Sequence, residues 1–178
     1  MGTHKRQRLA AIAGVGLLLI TAVFLQACGD SPVLTMMANL DATQEVPANV
    51  SPATAQVVIK LDTKGDSLSY TLSVQNIRNV VQAHLHSPGT TGVNAGVVLF
   101  LFGPVAVAGG PASGEIASGT KTSADLVGSL AGHPLQDLIN SIKAGTVYAN
   151  VHTSDGTKTS GPGNLPGGEI RAQVVVQP

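Results

Sequence analysis

Short runs of alternating apolar and polar residues, separated by clusters of turn residues, fill the chain from Ser31 onward. The clearest run covers residues 67–74, where leucine, tyrosine and valine alternate with serine and threonine. Such alternation is typical of an antiparallel strand with one buried face. We therefore predict an all-β, antiparallel sandwich or barrel. Its strands, about eight in number, are predicted over residues 34–40, 55–61, 67–74, 80–86, 96–101, 115–122, 146–152 and 169–176.

One segment, residues 134–144, has the helical period instead. Pro134 suits the first position of a helix, Lys143 complements the negative charge at its C-terminal end, and Gly145 can cap it. The apolar residues of the segment recur at helical spacing: Leu135, Leu138, Ile139 and Ile142. We predict one short amphipathic helix that packs across an open end of the β structure.

Two stretches between the predicted strands are long. Residues 103–114 are rich in Gly, Pro and Ala, and residues 153–168 are rich in Gly, Ser, Thr and Pro. Loops of this length without regular structure are usually functional or mobile. The second stretch directly follows His152, and it is therefore the more interesting of the two.

The beginning of the chain has the pattern of an export signal. Three basic residues within the first eight precede an uncharged stretch over residues 9–25, as in a secretory signal peptide. The stretch ends in Leu25-Gln26-Ala27-Cys28, which resembles the bacterial lipobox, where the cysteine is lipidated and becomes the N-terminus. The alternative is an ordinary secretory signal, or a single membrane anchor with an incidental cysteine.

This pattern divides the chain into three parts. We predict a lipoprotein signal peptide over residues 1–27, a lipid-anchored linker over residues 28–33 and a β domain over residues 34–178. Lipid on Cys28 would hold the domain at a membrane of the cell envelope. Position 29 is Gly rather than Asp, which by the sorting rule of enteric bacteria favours the outer membrane. The predicted location is the periplasmic face of that membrane or the cell surface.

The charge balance changes once the signal is set aside. The whole chain carries ten basic and ten acidic residues, but three of the basic residues lie in the signal. The remainder therefore carries seven basic against ten acidic residues, a net charge of −3. This balance argues against a nucleic-acid partner, because nucleic-acid binding depends on contacts to phosphate. The lone cysteine also excludes a disulfide framework and a multi-cysteine metal site.

The histidines carry the most suggestive chemistry. His84 and His86 flank one leucine in a predicted strand, so their side chains point to the same face, about 6.5–7 Å apart. His152 ends a second predicted strand, and the three imidazoles converge if the two strands are neighbours. Three neutral imidazoles suit zinc or copper, with copper favoured by intrinsic affinity. The alternative is that these histidines are solvated or hydrogen-bonded within the sheet.

The motifs assign no catalytic residue. The sequence lacks a Gly-x-Ser-x-Gly elbow, a phosphate-binding loop and a His-Glu-x-x-His zinc helix. Glu45, Glu115 and Glu169 are scattered and form no local pair. His133 directly precedes the predicted helix, and we interpret it as a helix-entry residue rather than a metal ligand.

Four stretches of the chain resemble the CHRD domain family, which is named after chordin, and they occur in the order that the family has. They are L-D-A-T-Q-E-V-P over residues 40–47, A-H-L-H-S-P-G over residues 83–89, Y-A-N-V-H-T over residues 148–153 and P-G-G-E-I-R-A-Q over residues 166–173. The resemblance implies an immunoglobulin-like or Greek-key sandwich or barrel. It also implies an extracellular binding module, with a protein ligand or a metal ion as partner, rather than a known enzyme.

The same motifs contain the candidate site residues. His84, His86 and His152 fall in three motif positions, and we predict them as metal ligands for copper, or for zinc as the less favoured ion. Glu169 and Arg171 fall in the last motif, where they would support the ligands or bind a ligand themselves. The alternative for these two is a structural pair on one strand that binds loop backbone.

A looser resemblance is to the copper–zinc superoxide dismutases, which also place a strand His-x-His and a later histidine on a β-sandwich. His84, His86 and His152 would match the copper ligands there, and Arg171 would match the guiding arginine. The bridging histidine, the zinc-site residues and the disulfide cysteines have no counterpart. Three hypotheses follow: an envelope binding module, a copper-dependent redox enzyme in which Arg171 steers an anion, and a structural or adhesive surface domain.

Overall fold

The computed structural model describes Met1 and residues 33–62, 64–106, 109–157 and 159–178. Most of the predicted signal peptide, the predicted lipidation site Cys28 and most of the linker therefore lie outside the described residues. Among the residues that are described, no helix has the length and apolar character needed to cross a bilayer.

The described chain is built from nine antiparallel strands and one α-helix, which confirms the predicted fold class. The helix, α1, covers Leu135–Lys143. The strands are β1 Thr35–Asp41, β2 Thr54–Leu61, β3 Ser67–Arg78, β4 Val80–His86, β5 Val97–Phe102, β6 Pro111–Thr122, β7 Tyr148–Thr153, β8 Ile170–Gln173 and β9 Val175–Val176. They form one sheet in the order β5-β4-β7-β8-β1-β2-β3-β6, and β9 pairs with β1.

The two end strands of this sheet, β5 and β6, approach each other and make the sheet a nearly closed barrel. Side-chain and loop contacts join the seam between them. The Tyr70 hydroxyl of β3 donates a hydrogen bond of 2.5 Å to the Leu101 carbonyl of β5. The Val127 amide, which follows β6, donates to the Val98 carbonyl of β5 at 2.9 Å.

The barrel interior contains the apolar half of each alternating run. Leu68, Leu72 and Val74 of β3 are fully buried, as the alternation in residues 67–74 predicts. The helix buries its four predicted apolar residues: Leu135, Leu138, Ile139 and Ile142. Gly145 ends the helix with a φ of 71°, a conformation that glycine adopts without strain.

Beyond shifts of one or two residues, the strand boundaries differ from the prediction in two places. The predicted loop over residues 103–114 is shorter, because β6 begins at Pro111 and pairs there with an extended β3. Proline is tolerated as the first residue of a strand, so the Gly/Pro composition conceals this pairing. The predicted strand over residues 169–176 is divided at Val174, whose amide bonds to Val147 while β9 moves to β1.

Strands β4, β7 and β8 have two buried faces of opposite character. The register aligns Leu85 with Ala149 and Ala172 on the face toward the apolar core. The next row aligns His84, Asn150 and Arg171 on the opposite face, and this row is also buried. Loops from residues 42–53, 87–96 and 153–168 supply hydrogen-bond partners to this polar face. The candidate site lies beneath these loops.

Candidate metal centre

The structure brings the three predicted histidines together. His84 and His86 lie on β4 and His152 on the neighbouring β7, and all three are buried. The ring centroid of His84 lies 5.5 Å from that of His86 and 5.0 Å from that of His152. One ring nitrogen from each histidine lies within 4.8 Å of the others.

Backbone carbonyls face the outer nitrogens of two of the rings. Nδ1 of His86 lies 2.8 Å from the Ala95 carbonyl, and Nδ1 of His152 lies 2.9 Å from the Pro166 carbonyl. A carbonyl only accepts hydrogen bonds, so these contacts favour a proton on each Nδ1. The Nε2 lone pairs of both rings then point away from the carbonyls, in the arrangement that metal-binding histidines usually have.

His84 has an unpaired nitrogen. Its Nδ1 lies 3.2 Å from Nε2 of His152, whereas its Nε2 is buried and has no hydrogen-bond partner. The Phe100 ring packs edge-on against the imidazole at a centroid distance of 4.7 Å. The nitrogen of His84 that faces His152 is therefore Nδ1, and the unpaired atom is the other nitrogen of the ring.

Burial keeps the three imidazoles neutral. Desolvation, followed by the neighbouring histidines, lowers the pKa of His84 to about 3. Desolvation also lowers the pKa of His152 to about 4, against a smaller opposing effect of the Pro166 carbonyl. The pKa of His86 is lowered for the same first reason. Near neutral pH each ring therefore keeps a free lone pair, which metal coordination requires.

The donor set fits a transition-metal ion. Two nitrogens bound to one tetrahedral ion at the usual zinc–nitrogen distance lie about 3.3 Å apart, and at most about 4.2 Å apart in any geometry. The pair formed by His84 Nδ1 and His152 Nε2, 3.2 Å apart, meets this requirement, whereas the whole set lies within 4.8 Å, so the cluster must contract slightly for all three histidines to bind one ion. Imidazole nitrogens suit zinc, copper and nickel, so the cluster could hold an ion of this class.

Glu169 holds two loops against the polar face. Its carboxylate accepts hydrogen bonds from the hydroxyls of Ser51 and Thr153 and, at 2.9 Å, from the Gly163 amide. It is 1% exposed and touches no histidine among these contacts. Because the same loop supplies the Pro166 carbonyl to His152, Glu169 acts on the cluster through the loop position.

Arg171 holds the third loop. Its guanidinium donates to the Thr90 and Val93 carbonyls and to Asn94 at 2.8–2.9 Å. It also lies 3.4 Å from the centre of the Tyr148 ring. These contacts enclose the guanidinium and agree with the alternative in which Glu169 and Arg171 bind loop atoms. The two residues bind different loops rather than each other.

Tyr148 links Arg171 to the histidines. Its ring stacks on His86 with a centroid distance of 4.7 Å and an interplanar angle of 1°. Since β7 lies between β4 and β8, the tyrosine stands between the imidazole and the guanidinium. The rotation of His86 about its own side chain is therefore restricted by packing as well as by hydrogen bonding.

Two further residues belong to this site, and the sequence reasoning did not select either of them. Asn150 is buried, and its Oδ1 lies 2.9 Å from Nε2 of His86. Glu45 is also buried, and its Oε2 has no hydrogen-bond partner. Desolvation raises the pKa of Glu45. The spacing Asn150-x-His152, which repeats the His84-x-His86 spacing, was the signal that could have identified the asparagine.

His133 behaves as predicted. It lies outside the cluster, at the entry of α1, and its Nδ1 is 2.8 Å from an Asp137 carboxylate oxygen. Its side chain is 51% exposed.

Comparison with known protein families gives one finding. The model of a family described as the CHRD domain matches residues 36–174, a segment that contains every strand from β2 to β8 and the whole histidine cluster. Comparisons with curated proteins and with solved structures give no match.

Proposed function

The chain belongs to the CHRD domain family, and from this premise we propose that it is a lipid-anchored binding protein of the cell envelope whose histidine cluster binds a transition-metal ion. Copper is the proposed ion, and zinc is the second choice. The binding residues are His84, His86 and His152.

The observation that supports metal binding is the convergence of three buried, neutral imidazoles, each with one ring nitrogen within 4.8 Å of the others. A cation at the centre of the cluster would bind Nδ1 of His84 and Nε2 of His152, which face each other at 3.2 Å, together with a nitrogen of His86. Copper is preferred over zinc because affinity for nitrogen ligands peaks at copper among the divalent first-row ions.

Metal analysis of the full chain, purified in detergent, tests this proposal. We expect one copper ion per chain after equilibration with micromolar copper and removal of excess ion. His84→Ala should lose this ion, because it removes one of three ligands. His133→Ala is the matched control, since it deletes an exposed imidazole outside the cluster, and it should retain the ion. Absence of stoichiometric copper and zinc in the unaltered chain would reject metal binding.

A binding role is favoured over superoxide chemistry by the position of Arg171. A residue that steers an anion must present its charge to the incoming ion, whereas this guanidinium is 1% exposed and bound to three loop acceptors. We expect the copper-loaded chain to show no superoxide turnover above that of free copper. Catalysis that disappears in His84→Ala would instead support the redox enzyme.

The envelope location rests on the sequence alone. The uncharged stretch followed by Leu25-Gln26-Ala27-Cys28 supports lipid attachment to the cysteine. In bacterial fractionation, Cys28→Ser should move the protein out of the membrane fraction, and Ser31→Ala should leave it there. Unchanged membrane retention of Cys28→Ser would reject lipidation without affecting the metal proposal.

A further inference from the structure

The neighbours of His86 are incompatible with a neutral imidazole on its own. Its Nδ1 lies 2.8 Å from the Ala95 carbonyl, and its Nε2 lies 2.9 Å from Oδ1 of Asn150. Both neighbours are acceptors, but a neutral imidazole has only one N–H to donate. One of the two contacts therefore brings two lone pairs together in a buried site. An imidazolium would satisfy both acceptors, but it would place a charge in a buried site, with the Arg171 guanidinium against the same Tyr148 ring on which His86 stacks.

Asn150 lies beside Gly168 and near Glu45. A Cβ placed on Gly168 would lie 3.2 Å from Nδ2 of Asn150 and 2.4 Å from Oε2 of Glu45. The amide nitrogen and the unpaired carboxyl oxygen thus lie over the same side of Gly168. In the structure Oδ1 is the amide atom that faces His86.

We propose that Asn150 Oδ1 is the fourth ligand of the metal ion, which makes the centre a three-nitrogen, one-oxygen site. This inference rests on the metal-binding function proposed above. A cation between His86 Nε2 and Asn150 Oδ1 turns two opposed lone pairs into two metal bonds. Their separation of 2.9 Å agrees with two ligands at right angles on one ion, which are about 2.9 Å apart at ordinary bond lengths.

The oxygen ligand also predicts which ions the centre selects. A carbonyl-type oxygen is a hard donor, whereas Cu(I) prefers soft sulfur ligands. The described site offers imidazole and amide groups to the ion. The centre should therefore favour divalent copper and zinc over Cu(I).

Replacement of Asn150 by aspartate tests whether the amide is a metal ligand or only a hydrogen-bond donor to His86. Asn150→Asp keeps an oxygen at this position and adds negative charge, so it should bind Zn(II) about tenfold more tightly in a chelator competition with the full chain. Asn150→Ala should weaken binding by about 10- to 100-fold. Asn39→Asp, which adds the same charge on the exposed face of β1, should leave the affinity unchanged.

The opposite result would reject the proposal. If the amide only donates a hydrogen bond to His86, aspartate removes the donor and the affinity falls. The copper(II) electron paramagnetic resonance spectrum is a second measurement, which does not depend on Asn150→Asp folding. It should change between the unaltered chain and Asn150→Ala, and an unchanged spectrum would exclude Asn150 as a ligand. If the unaltered chain binds metal and the Asn150 variants bind it equally well, only the fourth ligand is rejected. If the unaltered chain binds no metal, both proposals are rejected.

Discussion

At the scale of single residues, the histidine cluster makes the stability of the folded protein depend on pH. In the unfolded chain the imidazoles titrate near pH 6.5, whereas in the folded chain His84 titrates near 3 and His152 near 4. Between these values the unfolded state binds more protons than the folded state. The contribution to stability is therefore fully present above about pH 6.5 and is lost as the pH falls toward 4.

We predict that the metal-free protein becomes less stable across this window. Each unit of pKa depression corresponds to about 1.4 kcal/mol, so Tm should fall by at least about 3 °C between pH 7 and pH 4.5. Thermal unfolding followed by circular dichroism would measure the change. His84→Gln should show a smaller fall, and Gln136→Ala, which changes an exposed residue without a titratable group, should keep the full slope. Equal slopes in all three proteins would contradict the assignment.

The carboxylate of Glu169 is the second residue with a large predicted effect. Glu169→Ala leaves three donors without an acceptor, two of them buried, and it should lower the free energy of unfolding by about 3 kcal/mol or more. Glu169→Gln keeps one accepting oxygen and should lower it less. Urea denaturation would measure both values. Glu115→Ala deletes an exposed carboxylate, so a loss of equal size there would show that the effect is not due to burial.

At the scale of elements, alternation and helical period predicted most of the fold. The alternation over residues 67–74 and the helical period of α1 both show which side chains face the core, so both elements were recognisable from the sequence. The start of β6 was not recognisable, because its pairing with β3 depends on backbone hydrogen bonds rather than on apolar side chains. The candidate site was predicted only in part, because one of its contacts also depends on how two strands pair. The two-residue spacing of His84 and His86 shows a shared face, but the contact between Asn150 and His86 depends on the register of β4 against β7.

The helix offers a test of the packing at this scale. Leu138 is fully buried on the apolar face of α1, so Leu138→Ala should lower the free energy of unfolding by about 2–5 kcal/mol. Gln136→Ala, on the exposed face, should change it by less than about 0.5 kcal/mol. Chemical denaturation of the two variants would measure the difference. Similar values would mean that the helix does not close the core.

At the scale of the whole molecule, a bound ion should stabilise the barrel. The ligands come from β4 and β7, and the loops over them are fixed by groups on β7 and β8, so unfolding must break the centre. An ion at a hundred times its dissociation constant adds about 2.7 kcal/mol, which raises Tm by roughly 5–10 °C. Differential scanning calorimetry with and without Zn(II) would measure this shift. His84→Ala should lose the shift and His133→Ala should retain it.

The seam between β5 and β6 has a consequence for how copies of the molecule meet. An unpaired strand edge is a template to which another chain can add a strand, and long edges of this kind lead to aggregation. Here the Tyr70 hydroxyl and the Val127 amide occupy two carbonyl oxygens of β5, so these acceptors are withheld from a neighbouring molecule. For a protein that we propose is tethered to a surface, lateral crowding makes such encounters frequent. Contacts at this seam would therefore limit strand addition between neighbouring copies on that surface.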